Sequence, residues 1–145
     1  MRFMLIAKAT KESEAGLPPD PRLVKALAKL SHEMAEAGVL VGSGGLAPSS
    51  MGARLRLSGG EVTVTDGPFA ETKEIIGGFG IVEVESKEQA IELFRRLWQV
   101  HADIMGPSYE GEGEVRQLFD DRRSGEAAAS RQGRQAGGTH AAVQS

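Results

Sequence analysis

The stretch that decides the fold is residues 1–41, MRFMLIAKATKESEAGLPPDPRLVKALAKLSHEMAEAGVLV. Its beginning, residues 2–7, is apolar on both sides of a period-two pattern, which predicts a strand that is central in its sheet. Asp20 and Pro21 predict a helix start, because a capping carboxylate precedes a proline at the first helical position. A short apolar strand at 39–41 then completes a β-α-β unit.

The helix of this unit is amphipathic. Four apolar residues repeat at helical spacing while the charged residues fall elsewhere, and Gly38 stands where a C-terminal cap is expected. The packing face is predicted to hold Leu23, Leu27, Leu30 and Met34.

A hairpin is predicted in the middle of the chain. GSGG at 42–45 and the segment around Pro48 predict a loop. Residues 53–57 and 62–65 then alternate apolar and polar side chains on either side of Ser58, Gly59 and Gly60, which suit a tight turn. The alternation predicts that one face of this hairpin is exposed.

The second half repeats the strand and helix pattern. Residues 78–85 predict a strand, and Ser86 with Gln89 matches a capping box at the start of a helix whose stripe is Ala90, Leu93, Phe94 and Leu97. Residues 112–119 predict the last strand. Two helices cannot cover both faces of such a sheet, so we predict an α+β, ferredoxin-like βαββαβ domain with an inserted β-hairpin. The bare sheet face predicts a homodimer.

Composition restricts the number of domains, the cellular compartment and the classes of partner. The chain has 145 residues, no cysteine, 40% hydrophobic residues and a net charge of −3. It predicts one cytoplasmic domain over residues 1–120, with no nucleic-acid partner and no membrane segment. Residues 121–145, rich in Gly, Ala, Ser and Gln, are predicted to form a flexible C-terminal tail.

Residues 62–79, VTVTDGPFAETKEIIGGF, carry a resemblance to a known family. They resemble the signature of the DGPF branch of the YCII-related family. Three further segments agree with that family: RFMLIAKATKESEAG, AGVLVGSGGLAPSS and GEGEVRQLFD. The resemblance implies a ferredoxin-like fold paired into a dimeric α/β-barrel with a small-molecule cleft. Members of the related YCII group carry a His and an Asp suspected of acid–base work, but that His would fall near Ala28, so the pair is not carried over.

Asp66 is the first candidate for chemistry. It follows a strand directly, so its carboxylate either closes a structural Asx-type turn or, shielded by Phe69, acts as a general acid or base, an effect that Lys73 would oppose. The rest of the motif forms a candidate substrate-binding set or a solvated turn: Gly67, Pro68, Phe69, Glu71, Thr72 and Lys73.

His101 is the second catalytic candidate. It falls on the apolar line of its helix near the C-terminal end, where the helix dipole favours an imidazolium, although a packing or capping role suits the same position. His32 lies opposite its own helix stripe and should face solvent, and Trp98 should lie in the core or at a dimer interface. We predict no metal and no cofactor, since ligands are too few and GSGG lacks a nucleotide fingerprint.

Three functions remain open from the sequence. The first is a cofactor-free acid–base enzyme of lyase or isomerase type acting on a small organic substrate, with Asp66 and His101 as its catalytic groups. The second is a non-catalytic ligand-binding or regulatory dimeric module. The third is a structural interaction protein in which the DGPF loop merely ties the sheet together.

Overall fold

The computed structural model describes residues 1–119, so the predicted tail at 121–145 lies outside the described residues. The chain folds as an α+β structure with six strands and three α-helices in the described part. In chain order these are β1 (Arg2–Lys8), α1 (Lys11–Glu14), α2 (Pro21–Glu36), β2 (Leu40–Gly45), β3 (Ala53–Ser58), β4 (Glu61–Asp66), β5 (Ile76–Glu83), α3 (Lys87–Met105) and β6 (Gly113–Gln117). Within residues 1–119, none of the helices combines the length and apolarity needed to cross a bilayer.

Four strands form an antiparallel sheet in the order β2-β5-β1-β6. The first strand is therefore central, as its apolar pattern predicts. This order is compatible with a ferredoxin-like α+β fold. In the described chain β2 and β6 are open edges, so one copy forms no closed barrel.

The core lies between one face of this sheet and the helices α2 and α3. Val82 is fully buried beside Phe3, and the predicted helix stripes supply most of the remaining apolar contacts. The buried cluster comprises Phe3, Leu5, Leu30, Met34, Val82, Ala90 and Phe94. The amphipathic pattern of both long helices is thereby confirmed.

Within residues 1–119, no helix packs on the opposite face of the sheet. Met4 pairs with Ile81 and Ile6 pairs with Phe79 across β1 and β5, and these side chains alternate with the buried Phe3 and Leu5. All four are only partly buried. We refer to Met4, Ile6, Phe79 and Ile81 as the open sheet face.

The helix caps follow the sequence closely. Asp20 accepts a hydrogen bond from the Arg22 backbone N–H at 2.8 Å, and the Arg22 side chain, which hydrogen-bonds the same carboxylate, lowers the pKa of Asp20. Gly38 has φ +73°, a left-handed conformation that ends α2. Ser86 Oγ accepts a hydrogen bond from Gln89 N–H at 3.2 Å, as a capping box requires. The return bond differs, because Gln89 Oε1 accepts from the N–H of Glu85 instead of that of Ser86.

One local prediction is wrong, and one short helix was not predicted. Residues 42–45 form part of β2 rather than a loop, because they pair with β5. A Cβ at position 44 would lie 3.2 Å from the Phe79 ring, so glycine there gives the ring the room it needs. The segment before Pro18 contains the short helix α1, which begins at a reciprocal capping box between Thr10 and Ser13.

In the described part of the chain, strands β3 and β4 pair only with each other, as a two-stranded sheet. Gly59 and Gly60, at φ +58° and +80°, form the turn that joins them. All twelve strand residues are exposed. We refer to residues 53–66 as the arm.

Candidate functional site

The predicted site residues lie around one end of the four-stranded sheet, where β1 leads into α1 and α3 ends. Backbone hydrogen bonds tie the segments there, since Lys8 N–H donates to Glu112 O at 2.9 Å and Ala9 N–H donates to Ile75 O at 2.8 Å. We refer to this as the α1 end. It brings together the last turns of α3 with His101, the loop with Tyr109 and the DGPF motif.

His101 lies near the end of α3, half-buried. Its Nδ1 is 2.9 Å from the carbonyl oxygen of Leu97. A carbonyl oxygen can only accept, so in the neutral ring Nδ1 carries the proton and Nε2 keeps a lone pair. The geometry therefore sets His101 in the tautomer that a general base needs.

Two aromatic rings lie beside the His101 ring. Its centroid lies 5.1 Å from the Trp98 ring and 5.4 Å from the Tyr109 ring, which stacks on it. Burial, aided by the negative charge of Glu12, raises the pKa of Tyr109 above its ordinary value of 10.0. Tyr109 is therefore a neutral hydroxyl at physiological pH, and Trp98 packs against the core as predicted.

Asp66 lies in a different environment. It ends β4, is exposed, and its carboxylate makes no hydrogen bond within residues 1–119. No hydrogen bond or ion pair joins it to His101 in the described chain. The two predicted catalytic residues therefore do not form a contact pair within one copy.

The loop that follows Asp66 is fixed by a serine that sequence reasoning missed. Ser49, only 6% exposed, accepts a hydrogen bond from Phe69 N–H at 3.0 Å through Oγ. Both its N–H and its hydroxyl donate to the Glu14 carboxylate, at 2.9 and 2.6 Å. A Cβ on Gly67 would lie 1.7 Å from the Ser49 carbonyl oxygen, so the motif packs directly on this serine.

Phe69 and Glu71 of the motif are joined by a side chain of the arm. The Arg54 guanidinium lies 4.3 Å from the centre of the Phe69 ring and 3.3 Å from Glu71 Oε2. Residues 72–74 form a 3₁₀ turn in which Lys73 is exposed. Pro68 follows Gly67 through a cis peptide bond and is also exposed. A substrate-binding role for Gly67, Pro68, Phe69, Glu71, Thr72 and Lys73 stays a prediction.

A groove of about 430 Å³ lies away from all of these residues, against the first half of α3. Val39, Val84 and Leu93 form its apolar wall, and Glu88, Gln89 and Glu92 complete its lining. His32 is exposed as predicted, with Nε2 3.7 Å from Glu36. Within residues 1–119 no three His, Asp or Glu side chains converge as metal ligands.

Comparison with known proteins gives two results. The family model described as "YCII-related domain" matches residues 1–106. An uncharacterized protein of Rhizobium meliloti (strain 1021) is 40% identical over 78 residues, which cover 54% of this chain. The match spans 63% of the length of that relative.

Proposed function

Because the chain belongs to the YCII-related domain family, we propose that it is a cytoplasmic, homodimeric small-molecule domain that performs acid–base chemistry without a cofactor at its α1 end. One observation carries the proposal: the His101 ring is held through Nδ1 by the Leu97 carbonyl and lies beside the Trp98 and Tyr109 rings, while Nε2 has no hydrogen-bond partner within residues 1–119. The DGPF sequence at 66–69 supports the DGPF branch of the family.

The proposed chemistry needs one proton carrier. Nε2 of His101 takes a proton from the substrate and returns it to a neighbouring atom in an isomerase, or to the leaving group in a lyase. The neutral Tyr109 hydroxyl is a hydrogen-bond donor for a developing oxyanion.

Asp66 enters the proposal as a second acid–base group contributed across the dimer. It makes no contact with His101 within one described copy, and the open sheet face needs a partner. The finer architecture proposed here is a βαββαβ unit with the arm inserted between β2 and β5, paired through its open sheet face into an α/β-barrel dimer. Either cleft of such a dimer combines loops of both copies.

A second candidate is a non-catalytic ligand-binding or regulatory module of the same dimer. Two observations favour it. The Phe69 N–H of the DGPF loop donates to Ser49 and is not available to a ligand, and Asp66 is exposed to solvent. In this case the enclosed His101 ring recognises a ligand and transfers no proton.

The test is a thermal-shift screen against small carboxylates and aromatic acids, followed by turnover assays on each hit. We expect His101→Gln to abolish turnover and Asp66→Asn to reduce it, with the melting temperatures unchanged. His32→Gln is the matched control, because His32 is an exposed histidine on α2. Binding without turnover in the unmodified protein would favour the second candidate, and turnover retained by His101→Gln would contradict the first.

A further inference from the structure

The two borders of the open sheet face differ in bulk, and the border on β2 is the small one. Gly42 pairs with Ile81 and Gly44 pairs with Phe79. Residues that pair directly across two strands point to the same face, so β2 presents two glycines beside the apolar centre. A Cβ at Gly42 would have no neighbour within 4 Å. We refer to Gly42 and Gly44 as the glycine edge.

The border on β6 is bulky and charged. Arg116 pairs with Met4 and Glu114 pairs with Ile6, so both long side chains point to the open sheet face. Their exposed fractions are 70% and 48%, and their charged atoms lie 3.7 Å apart. We refer to Glu114 and Arg116 as the charged edge. One border of the face is therefore a channel and the opposite border is a ridge.

We propose that the two-fold axis of the homodimer runs along the strands, between β1 and β5, so that the charged edge of each copy lies over the glycine edge of the other. This inference rests on the proposed homodimer, in which two open sheet faces pack on each other, and adds to it an orientation and two docking edges. Since β1 and β5 are the middle strands of the order β2-β5-β1-β6, such an axis also brings the two apolar centres together.

Shape selects this axis over one that runs across the strands. Facing sheets lie about 10 Å apart and fill that space with interdigitating side chains. In the proposed dimer the long side chains of Arg116 and Glu114 fill the space that Gly42 and Gly44 leave. An axis across the strands would pair Arg116 with the partner's Glu114, but it would also set glycines over glycines and long side chains over long side chains. That arrangement leaves a void at one border and crowding at the other.

Charge selects the same axis at the end of the sheet far from α1. Arg2 pairs with Glu83 across β1 and β5, with 3.7 Å between the charged atoms and both side chains about half exposed. An axis along the strands keeps each residue at its own level and puts β1 over the partner's β5, so Arg2 faces the partner's Glu83. An axis across the strands, through the middle of the apolar centre, would put Arg2 opposite the partner's Lys8, which is a like charge.

The proposed axis brings the α1 ends of both copies to the same end of the dimer. Strand β2 ends at Gly45 and strand β6 begins at Gly113, at the same level of the sheet. The chain that leaves the partner's β2 toward its arm therefore passes beside the start of β6. The loop before β6 carries Tyr109, whose ring stacks on His101. Each site then lies between His101 of one copy and the arm of the other, as the proposed role of Asp66 requires.

Cross-linking of single cysteines tests the axis. The chain has no cysteine, so Gly42→Cys and Arg116→Cys introduce one thiol each. In the proposed dimer these two positions face each other about 10 Å apart, whereas two identical positions lie at opposite borders, about 17 Å apart. We expect bismaleimidoethane to give a covalent dimer on a denaturing gel when the two variants are refolded together. Neither variant should cross-link when it is treated alone.

The outcomes separate the axis from the homodimer. If sedimentation equilibrium shows that the unmodified chain is a monomer, the homodimer itself is wrong and the axis falls with it. If the two variants are dimers and their mixture does not cross-link, or either variant cross-links alone, the homodimer stands and the proposed axis is overturned.

Charge reversal gives a second reading that leaves both edges intact. Arg2→Glu would place a carboxylate opposite the partner's Glu83 and should raise the dimer dissociation constant about threefold to tenfold, while Arg2→Glu/Glu83→Arg should restore it. Lys29→Glu, an equal change of charge at an exposed residue of α2, is the control. With an axis across the strands, Arg2→Glu would face the partner's Lys8. A dissociation constant that is lowered or unchanged in Arg2→Glu would therefore overturn the proposed axis.

Discussion

Gly67 has no room for a side chain. A Cβ there would lie 1.7 Å from the Ser49 carbonyl oxygen, and that oxygen belongs to backbone that cannot rotate away. We expect Gly67→Ala to lower the free energy of unfolding by about 1–3 kcal/mol, the usual cost of overpacking. Gly42→Ala is the control, since a Cβ at Gly42 has no neighbour within 4 Å. Urea unfolding measures both, and equal stabilities would contradict the close packing of the motif.

Ser49 is the partner of that glycine and the residue that joins α1 to the DGPF loop. Ser49→Ala would leave Phe69 N–H without its acceptor and Glu14 without its shortest hydrogen bond. We expect a loss of about 1–3 kcal/mol in the free energy of unfolding. Ser50→Ala, at the exposed neighbour, should change little. Thermal unfolding of the two variants compares them directly, and similar losses would show that the network is not a stabilising one.

Tyr109 makes stability depend on alkaline pH. Burial and Glu12 raise its pKa in the folded chain above the ordinary value of 10.0, so the unfolded chain loses the phenol proton first. The stabilisation is complete below about pH 10 and is lost as pH rises through the folded pKa. Tyr109→Phe should lack this component when unfolding is followed against pH.

The same residue can be titrated alone. It is the only tyrosine in the chain, so near-ultraviolet absorbance reports its ionisation directly. In Glu12→Gln the midpoint should fall toward the ordinary value without reaching it, because burial is the larger cause of the shift. A midpoint at the ordinary value in the unmodified protein would contradict the burial of Tyr109 near Glu12.

At the scale of elements, α3 depends on its N-cap residue as well as on its apolar stripe. Ser86 accepts from Gln89 N–H and caps a helix of 19 residues that carries Trp98 and His101. We expect Ser86→Ala to cost about 1 kcal/mol of stability and Ser86→Gly only a few tenths of a kcal/mol. Ser108→Ala, in an exposed turn, is the control. A loss no greater than that of Ser108→Ala in thermal unfolding would argue against the cap.

The elements also show what a sequence can predict. Strong periodicity gave β1, α2 and α3 correctly, because their buried positions repeat at the period of one structure. The glycines of β2 carry no period at all; they form a strand by pairing with β5, where Gly44 leaves room for the Phe79 ring. Helix α1 is too short for a stripe, and its one signal is the pair Thr10 and Ser13 at capping distance.

The site was harder to predict than the fold for a related reason. His101 could be placed by helical angle, since one element decides its position. Ser49 and Glu14 meet across 35 residues, and Tyr109 reaches His101 from a separate loop. Contacts of that kind depend on tertiary structure, and neither spacing nor composition indicates them.

At the scale of the whole molecule, the open sheet face links folding to association. If folded copies pair through Met4, Ile6, Phe79 and Ile81, mass action makes the melting temperature depend on protein concentration. A roughly hundredfold increase in concentration should raise it by about 5 °C in a domain of this size.

Ile6→Lys places a charge in the centre of the open sheet face and should abolish that dependence, while circular dichroism at low concentration shows a folded chain. Val24→Lys is the matched control, because Val24 is a 49% exposed apolar residue on α2, away from that face. Differential scanning calorimetry over the concentration range measures both. A melting temperature of the unmodified protein that is independent of concentration would mean that the open sheet face is stable in water without a second copy, and the barrel dimer would then have no physical basis.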